Sequence, residues 1–222
     1  MNMTSAATFV ISALIGLQLV SCAGKTPAEQ RTIVQTDNAE YLASHLYLSG
    51  YFPQGVFSPY KVRDRFKDKW YSSYLAKMGE QSLLDAAADT NAFVYRFTWL
   101  REYHYPLCAR IGIQPDGSGE LALKTLTGNG MYEPGLLWTN MTVAVASNGV
   151  ARLLDRIAFC NFWGQKPEIG VHEGKDGAQW IIEGVSNGVY HITDRWCPDQ
   201  PAYKDAALTF LELAGFKVEP VY

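Results

Sequence analysis

The sequence predicts an α+β fold: an antiparallel β-sheet covered on one face by helices, with an N-terminal helical extension. Three observations predict it. Hydrophobic spacing is helical up to about Ala88 and changes to strict alternation at Phe93. The alternating runs are short and joined by Gly-containing turns, which suits hairpins. Helical spacing returns only after a group of strands, and again at the end, so strands and helices are grouped instead of alternating one for one.

Element by element, the chain opens on "TSAATFVISALIGLQLV", an uncharged run from Thr4 to Val20 that ends in Ser21-Cys22-Ala23-Gly24. A short apolar run ending at a small residue before a cysteine is a processing signal, too short to span a bilayer. Leu19-Val20-Ser21-Cys22 resembles the bacterial lipobox, in which the signal is cut before the Cys and that Cys receives lipid. Residues 1–21 are thus expected to be a lipoprotein signal peptide, with Cys22 as the lipidation site. The leader departs from the usual pattern in carrying no Lys or Arg before its apolar run. Ala23, where an Asp would favour inner-membrane retention, points to the periplasmic side of the outer membrane. The membrane partner is then reached through lipid on Cys22.

Residues 22–90 are expected to form the helical extension or subdomain, and residues 91–222 the α+β domain. Thr26-Pro27-Ala28-Glu29 reads as a capping box, and a second helical run covers Asn38 to Leu48. After the Pro- and Gly-containing loop "YFPQGVFSP", Ser58-Pro59 opens a helix on which Val62, Phe66, Trp70 and Tyr74 recur every four residues. Its Lys61, Arg63, Arg65, Lys67 and Lys69 would suit anionic headgroups. Asp64 and Asp68 dilute that patch, and a solvated face is the simpler reading.

Strands follow in "FVYRFTWLR", "PLCARIGI" and "GELALKTL", the last two joined by a turn at Asp116-Gly117. The loop "TGNGMYEPG" leads to a weaker strand, "LLWTNMTVAVA", and Asn148 is placed to cap a helix. A final helix is expected from Pro201 to Ala214, stopped by Gly215.

Between these helices lies the hairpin "DGAQWIIEGVSNGVYHITDRWCPD". Two registers are possible. A two-residue Asn187-Gly188 turn would pair Trp180 with Arg195 and Glu183 with Ile192, mixing polar and apolar groups on both faces. The alternative that segregates them is favoured. That register has a three-residue loop with Gly188 left-handed, and it pairs Glu183 with His191 and Gln179 with Arg195. Arg96, Arg110 and Lys124 of the earlier strands would join the same polar face. The candidate binding residues are therefore Arg96, Arg110, Lys124, Glu183, His191 and Arg195. Forked Arg bonds there suit an anionic small molecule or an acidic glycan.

Catalytic signatures are missing from the sequence: there is no G-x-S-x-G, H-E-x-x-H, P-loop or dinucleotide fingerprint. His172-Glu173 lacks a second His at zinc spacing. No metal, cofactor or catalytic residue is assigned. A net charge of −3 gives no reason to expect nucleic acid. Cys108, Cys160 and Cys197 remain after lipidation. One disulfide, with Cys160–Cys197 the better-placed pair, and buried free thiols are both open.

The phrases "MGEQSLL" from Met78, "YRFTWLREYHYPLCARI" from Tyr95, "GNGMYEPGLL" from Gly128 and "DGAQWIIEGVSNGVYHITDRWCP" from Asp176 together resemble a family of uncharacterised bacterial proteins and lipoproteins without an assigned activity. The resemblance emphasises Tyr132, Glu133, Asp176, Trp180, Glu183, His191, Arg195 and Trp196. It also implies Ser more often than Cys at the position of Cys197, against a thiol nucleophile and against the Cys160–Cys197 pair. The functional expectation is a lipid-anchored cell-envelope protein with a non-catalytic binding or interaction role through the polar sheet face. The alternative is a hydrolase-like enzyme using Glu183 and His191 as an acid–base pair.

Overall fold

A computed structural model of the chain describes residues 51–131, 133–169 and 176–222. The signal peptide, Cys22, the helices expected before Gly50, Tyr132 and His172-Glu173 lie outside the described residues. Among those described are helices α1 (Lys61–Lys77) and α2 (Leu83–Ala86), and strands β1 (Val94–Arg101), β2 (Leu107–Ile113), β3 (Gly119–Leu126) and β4 (Leu137–Val145). Helix α3 (Ser147–Phe159), a 3-10 turn at Phe162–Gly164, strands β5 (Ala178–Ser186) and β6 (Val189–Trp196), and helix α4 (Pro201–Leu213) complete them. The α+β class holds. The strands form one antiparallel sheet in the order β4-β3-β2-β1-β5-β6.

Both faces of this sheet are covered. On the first, α3 (Val150, Leu153, Ile157) and α4 (Tyr203, Ala206, Ala207, Phe210) pack on Tyr95, Phe97, Trp99, Trp180 and Ile182. The rings of Trp99 and Trp180 meet at 4.5 Å between centroids. On the second, Phe52, Phe57, Tyr71, Tyr74, Leu75 and Met78 lie over Leu100, Cys108, Leu126, Ile181 and Ile192. Strand β1, fourth in the sheet and beneath both layers, is buried along its whole length. Helix α1 thus belongs to the same compact unit as the sheet.

Helix α1 is rotated relative to its sequence reading. Val62 and Phe66 of the aromatic stripe are exposed, while Asp64, Lys67, Asp68, Tyr71, Tyr74 and Leu75 are buried. Partners elsewhere make this stable, since a buried charge is tolerated when it is paired. Asp64 accepts from the backbone N–H of Gly55 (2.7 Å) and Phe57 (2.9 Å), tying the preceding loop to the first turn. Lys67 donates to Asp194 on β6 (2.7 Å) and to Glu168, Tyr71 donates to the same Asp194 oxygen (2.9 Å), and Arg63 pairs with Glu168 (2.9 Å).

Among the described residues no cation pairs with Asp68. Burial, and then the charge of Asp64, push its carboxyl up to about 7. An acid whose folded pKa is raised holds its proton longer folded than unfolded, so it costs stability as pH rises from about 4 to about 7. Asp68→Asn is expected to match the parent near pH 4 and to exceed it by on the order of 1–2 kcal/mol at pH 8, allowing for solvent screening. Urea unfolding at the two pH values checks this; an equal difference at both would remove Asp68 as its source.

The β5–β6 turn corrects the expected register. Ser186 pairs with Val189 across a two-residue Asn187-Gly188 turn with φ of 53° and 74°, both left-handed as a type I′ turn requires. Glu183 therefore pairs with Ile192, and His191 with Gly184. Polarity is mixed on both faces, which a half-wet sheet would not tolerate and a sheet covered on both sides does.

Other expectations match more closely. The turn at Asp116-Gly117 joins β2 to β3, with Gly117 at φ 82° and Asp116 accepting from Ser118. Helix α4 begins on Pro201 and stops before Gly215, whose φ is 65°. Helix α3 starts one residue before Asn148 and is preceded by Ala146. Cys108, Cys160 and Cys197 are all free, so the Cys160–Cys197 bond is not formed. Cys197 instead accepts from the Ala178 N–H through Sγ at 3.2 Å.

Candidate functional site

Residues directly opposite each other in an antiparallel pair share a face. Arg96 on β1 stands opposite Arg110 on β2 and Glu183 on β5, and Lys124 on β3 is opposite Cys108, on that same face. Four of the six candidate residues are thus brought together, against the layer built by residues 51–90. His191 and Arg195, opposite Gly184 and Trp180, face the other way. The expected six-residue face is corrected to four, because the register shift by one residue reverses every side chain of β6 relative to β5.

The centre of the four is a forked pair. Arg96 Nε donates to Glu183 Oε2 at 2.7 Å and its Nη2 to Oε1 at 2.8 Å, and both side chains are wholly buried. Arg96 Nη1 reaches the Gln81 carbonyl at 2.7 Å, and the Tyr190 hydroxyl donates to Glu183 at 2.9 Å. Burial acts to lower the pKa of Arg96, but the charge and hydrogen bonds of Glu183 outweigh it, so the pKa lies above its ordinary value.

Beside it, Glu80 accepts from Arg110 Nε and Lys124 Nζ, each at 2.7 Å, with Arg96 Nη1 at 3.7 Å. Burial would raise the Glu80 carboxyl, yet the Lys124 hydrogen bond and the three cations hold it below its usual range. Three cations therefore meet two carboxylates in this network, leaving a surplus positive charge. The partly exposed member is Arg110, at 36% side-chain exposure, whereas Arg96 and Glu183 have none and Lys124 has 12%. Arg110 lines an open cleft of about 540 Å³ together with Gln81, Ser82, Asn91 and Gln114.

Glu80 and Tyr190 were not singled out in sequence. Glu80 lies within "MGEQSLL", but nothing local marks a Glu just after a helix as buried; its partners are 30 and 44 residues away along the chain. Tyr190 reads as a core aromatic, and its hydroxyl alone reveals the role.

The other two candidates have structural partners. Arg195 donates to the carbonyls of Lys166, Pro167 and Asp194 and to the Gln165 side chain, at 2.7–2.8 Å. With the Asp194 N–H donating to Pro167 O at 2.7 Å, it fastens residues 165–168 along the outer edge of β6. The His191 ring packs edge-on to Phe162, with centroids 4.9 Å apart. Burial lowers its pKa, against the backbone carbonyls of Phe162 and Gln165, which as acceptors of its N–H groups would raise it. Among the described residues no carboxylate pairs with it, and the acid–base pair with Glu183 is not assembled because the two lie on opposite faces.

His104 shares a 2.6 Å hydrogen bond between Nδ1 and the Tyr222 hydroxyl. Among the described residues, no group of three or more His, Cys, Asp or Glu is placed to hold a metal ion. No protein-family model matches the chain, and no curated protein is significantly similar to it.

Proposed function

We propose that this is a lipid-anchored cell-envelope protein that binds a small anionic molecule or an acidic glycan, without transforming it, in the cleft beside Arg110. The observation that carries the binding reading is the uncompensated cation of the Glu80–Arg96–Arg110–Lys124–Glu183 network at the cleft wall. A guanidinium held at Nε keeps its terminal N–H groups in a fixed plane, the geometry that carboxylates and phosphates accept. Gln81, Ser82, Asn91 and Gln114 add neutral polar groups suited to hydroxyls.

The anchor rests on Leu19-Val20-Ser21-Cys22 after an uncharged apolar run. Among the described residues no helix is long and apolar enough to cross a membrane. Kinship with the envelope family rests on the quoted phrases alone.

Inorganic phosphate, citrate and oligogalacturonate are the probes. At about 100 times its dissociation constant a ligand adds about 2.7 kcal/mol of stability. At least one probe is expected to raise the melting temperature of the parent but not of Arg110→Met, while Arg152→Met, at an exposed side chain of α3, responds like the parent. No shift with any probe, or an equal shift in Arg110→Met, would sink the cleft reading. For the anchor, mass spectrometry of membrane-fraction protein is expected to find lipid on Cys22, and Cys22→Ala is expected to leave that fraction.

A further inference from the structure

The two edges of the sheet are unlike. The β6 edge is closed by residues 165–168, through the Asp194–Pro167 backbone bond and the Arg195 side chain. The β4 edge makes its ladder with β3, and among the described residues no further backbone hydrogen bond involves Trp138–Val145. An uncovered edge presents a row of unpaired N–H and C=O groups, and proteins usually protect one with charge, proline or shortness. Strand β4 has none of these: "LWTNMTVAV" is nine residues long, without Lys, Arg, Asp, Glu, Pro or Gly. Its one irregularity is the break in register between Thr125 and Leu126, opposite Leu137–Thr139. Beyond that break, Thr139 to Val145 is regular. At the irregular end Leu136 and Trp138, each 71% exposed, and Leu137 form a run of exposed apolar side chains.

We propose that the free edge of β4 is a self-association surface, pairing antiparallel with the β4 of a second copy about a two-fold axis at Thr142. The pattern of the strand favours a copy of itself. Thr142 is the middle of the regular stretch, and pairing about it sets Thr142 against Thr142, Asn140 against Ala144, Met141 against Val143 and Thr139 against Val145. The exposed positions Asn140, Thr142 and Ala144 then share one face, and the partly buried Thr139, Met141 and Val143 the other. Thr–Thr and aliphatic cross-strand pairs are favourable. No charge lies in the strand to repel an identical one. Trp138 comes beside Ala146 of the second copy, which covers apolar surface otherwise left in water. Because the β6 edge is closed, the pairing ends at two copies, an isologous dimer with a twelve-stranded sheet and no exposed edge for growth.

Analytical ultracentrifugation of the full chain is expected to show a species of twice the chain mass, with dissociation on dilution. The variants N140K/T142K/A144K and N140E/T142E/A144E place like charges opposite one another at exposed sites. Each alone is expected to sediment as a monomer with an unchanged far-ultraviolet spectrum, and an equimolar mixture to regain the doubled mass. If a triple variant fails to fold, T142K and T142E alone give the milder test: each weakens association about fivefold, and their mixture restores it. A parent that stays monomeric at every concentration, an open-ended polymer, or a dimer that the charged variants and their mixture leave unaltered would each overturn the proposal.

Discussion

Glu183→Leu is expected to destabilise the fold by about 3–5 kcal/mol, as breaking a buried ion pair from one side does. The substitution leaves Arg96 charged, wholly buried and without its forked acceptor, and it removes the acceptor of the Tyr190 hydroxyl. Arg96→Met is expected to cost a similar amount, stranding Glu183 beneath the layer of residues 51–90. The double variant R96M/E183L should cost markedly less than the sum of the two, because no uncompensated charge then remains at that point. Urea unfolding of all four proteins supplies the cycle. Additive costs, or singles that each lose less than about 1 kcal/mol, would mean that water reaches this pair and that it does not organise the site. Since a domain of this kind has about 5–15 kcal/mol in hand, either single variant should also be visible as lower soluble yield.

Gly130→Ala is the second large effect, about 3 kcal/mol, from overpacking against main chain. A Cβ there would lie 2.3 Å from Arg101 N and 2.4 Å from Leu100 C, atoms that belong to the central strand and cannot move aside. The close approach is held by the Gly130 N–H, which donates to Arg101 O at 2.7 Å, and by the Trp70 indole, which donates to Gly130 O at 3.0 Å. The loop 127–135 would have to lift from α1 and β1 together. Gly112→Ala serves as the control: its φ is not positive and nothing lies within 4 Å of an added Cβ. It is expected to be neutral within about 0.5 kcal/mol. Equal costs for the two alanine variants in thermal unfolding would remove the collision with main chain as the source of the loss at Gly130.

What could be read in the sequence was whatever local chemistry decides. Helix α4 was legible because Pro201 and Gly215 mark its ends, and the β2–β3 turn because Asp116-Gly117 demands it. The alternation of β1, β2 and β3 was sufficient to gather Arg96, Arg110 and Lys124 on one face. The register of β5 and β6 is not legible in the sequence, because polarity segregates the two faces only when one is wet, and this sheet is covered on both. The rotation of α1 was hidden for a related reason. Lys67 and Asp194 justify each other's burial across 127 residues of chain, and neither carries a local sign of it. Glu80 belongs to the same class, so the cleft itself emerged only once the chain was folded.

That central strand also sets an order of events during synthesis. Strand β1 forms a hairpin-like pair with β2 soon after it is made, but its other neighbour is β5, and Glu183 is 87 residues downstream of Arg96. Until β5 is in place, one side of β1 has no ladder and its guanidinium no carboxylate. Phe97 and Trp99 meanwhile lack the Trp180 and Phe210 rings that later enclose them. A nascent chain of this kind offers sticky aromatic surface for most of its production and closes late, in a step dominated by distant contacts. Chaperones that hold unfolded chains should therefore engage it through the β1–β4 segment until the β5–β6 hairpin pairs with β1.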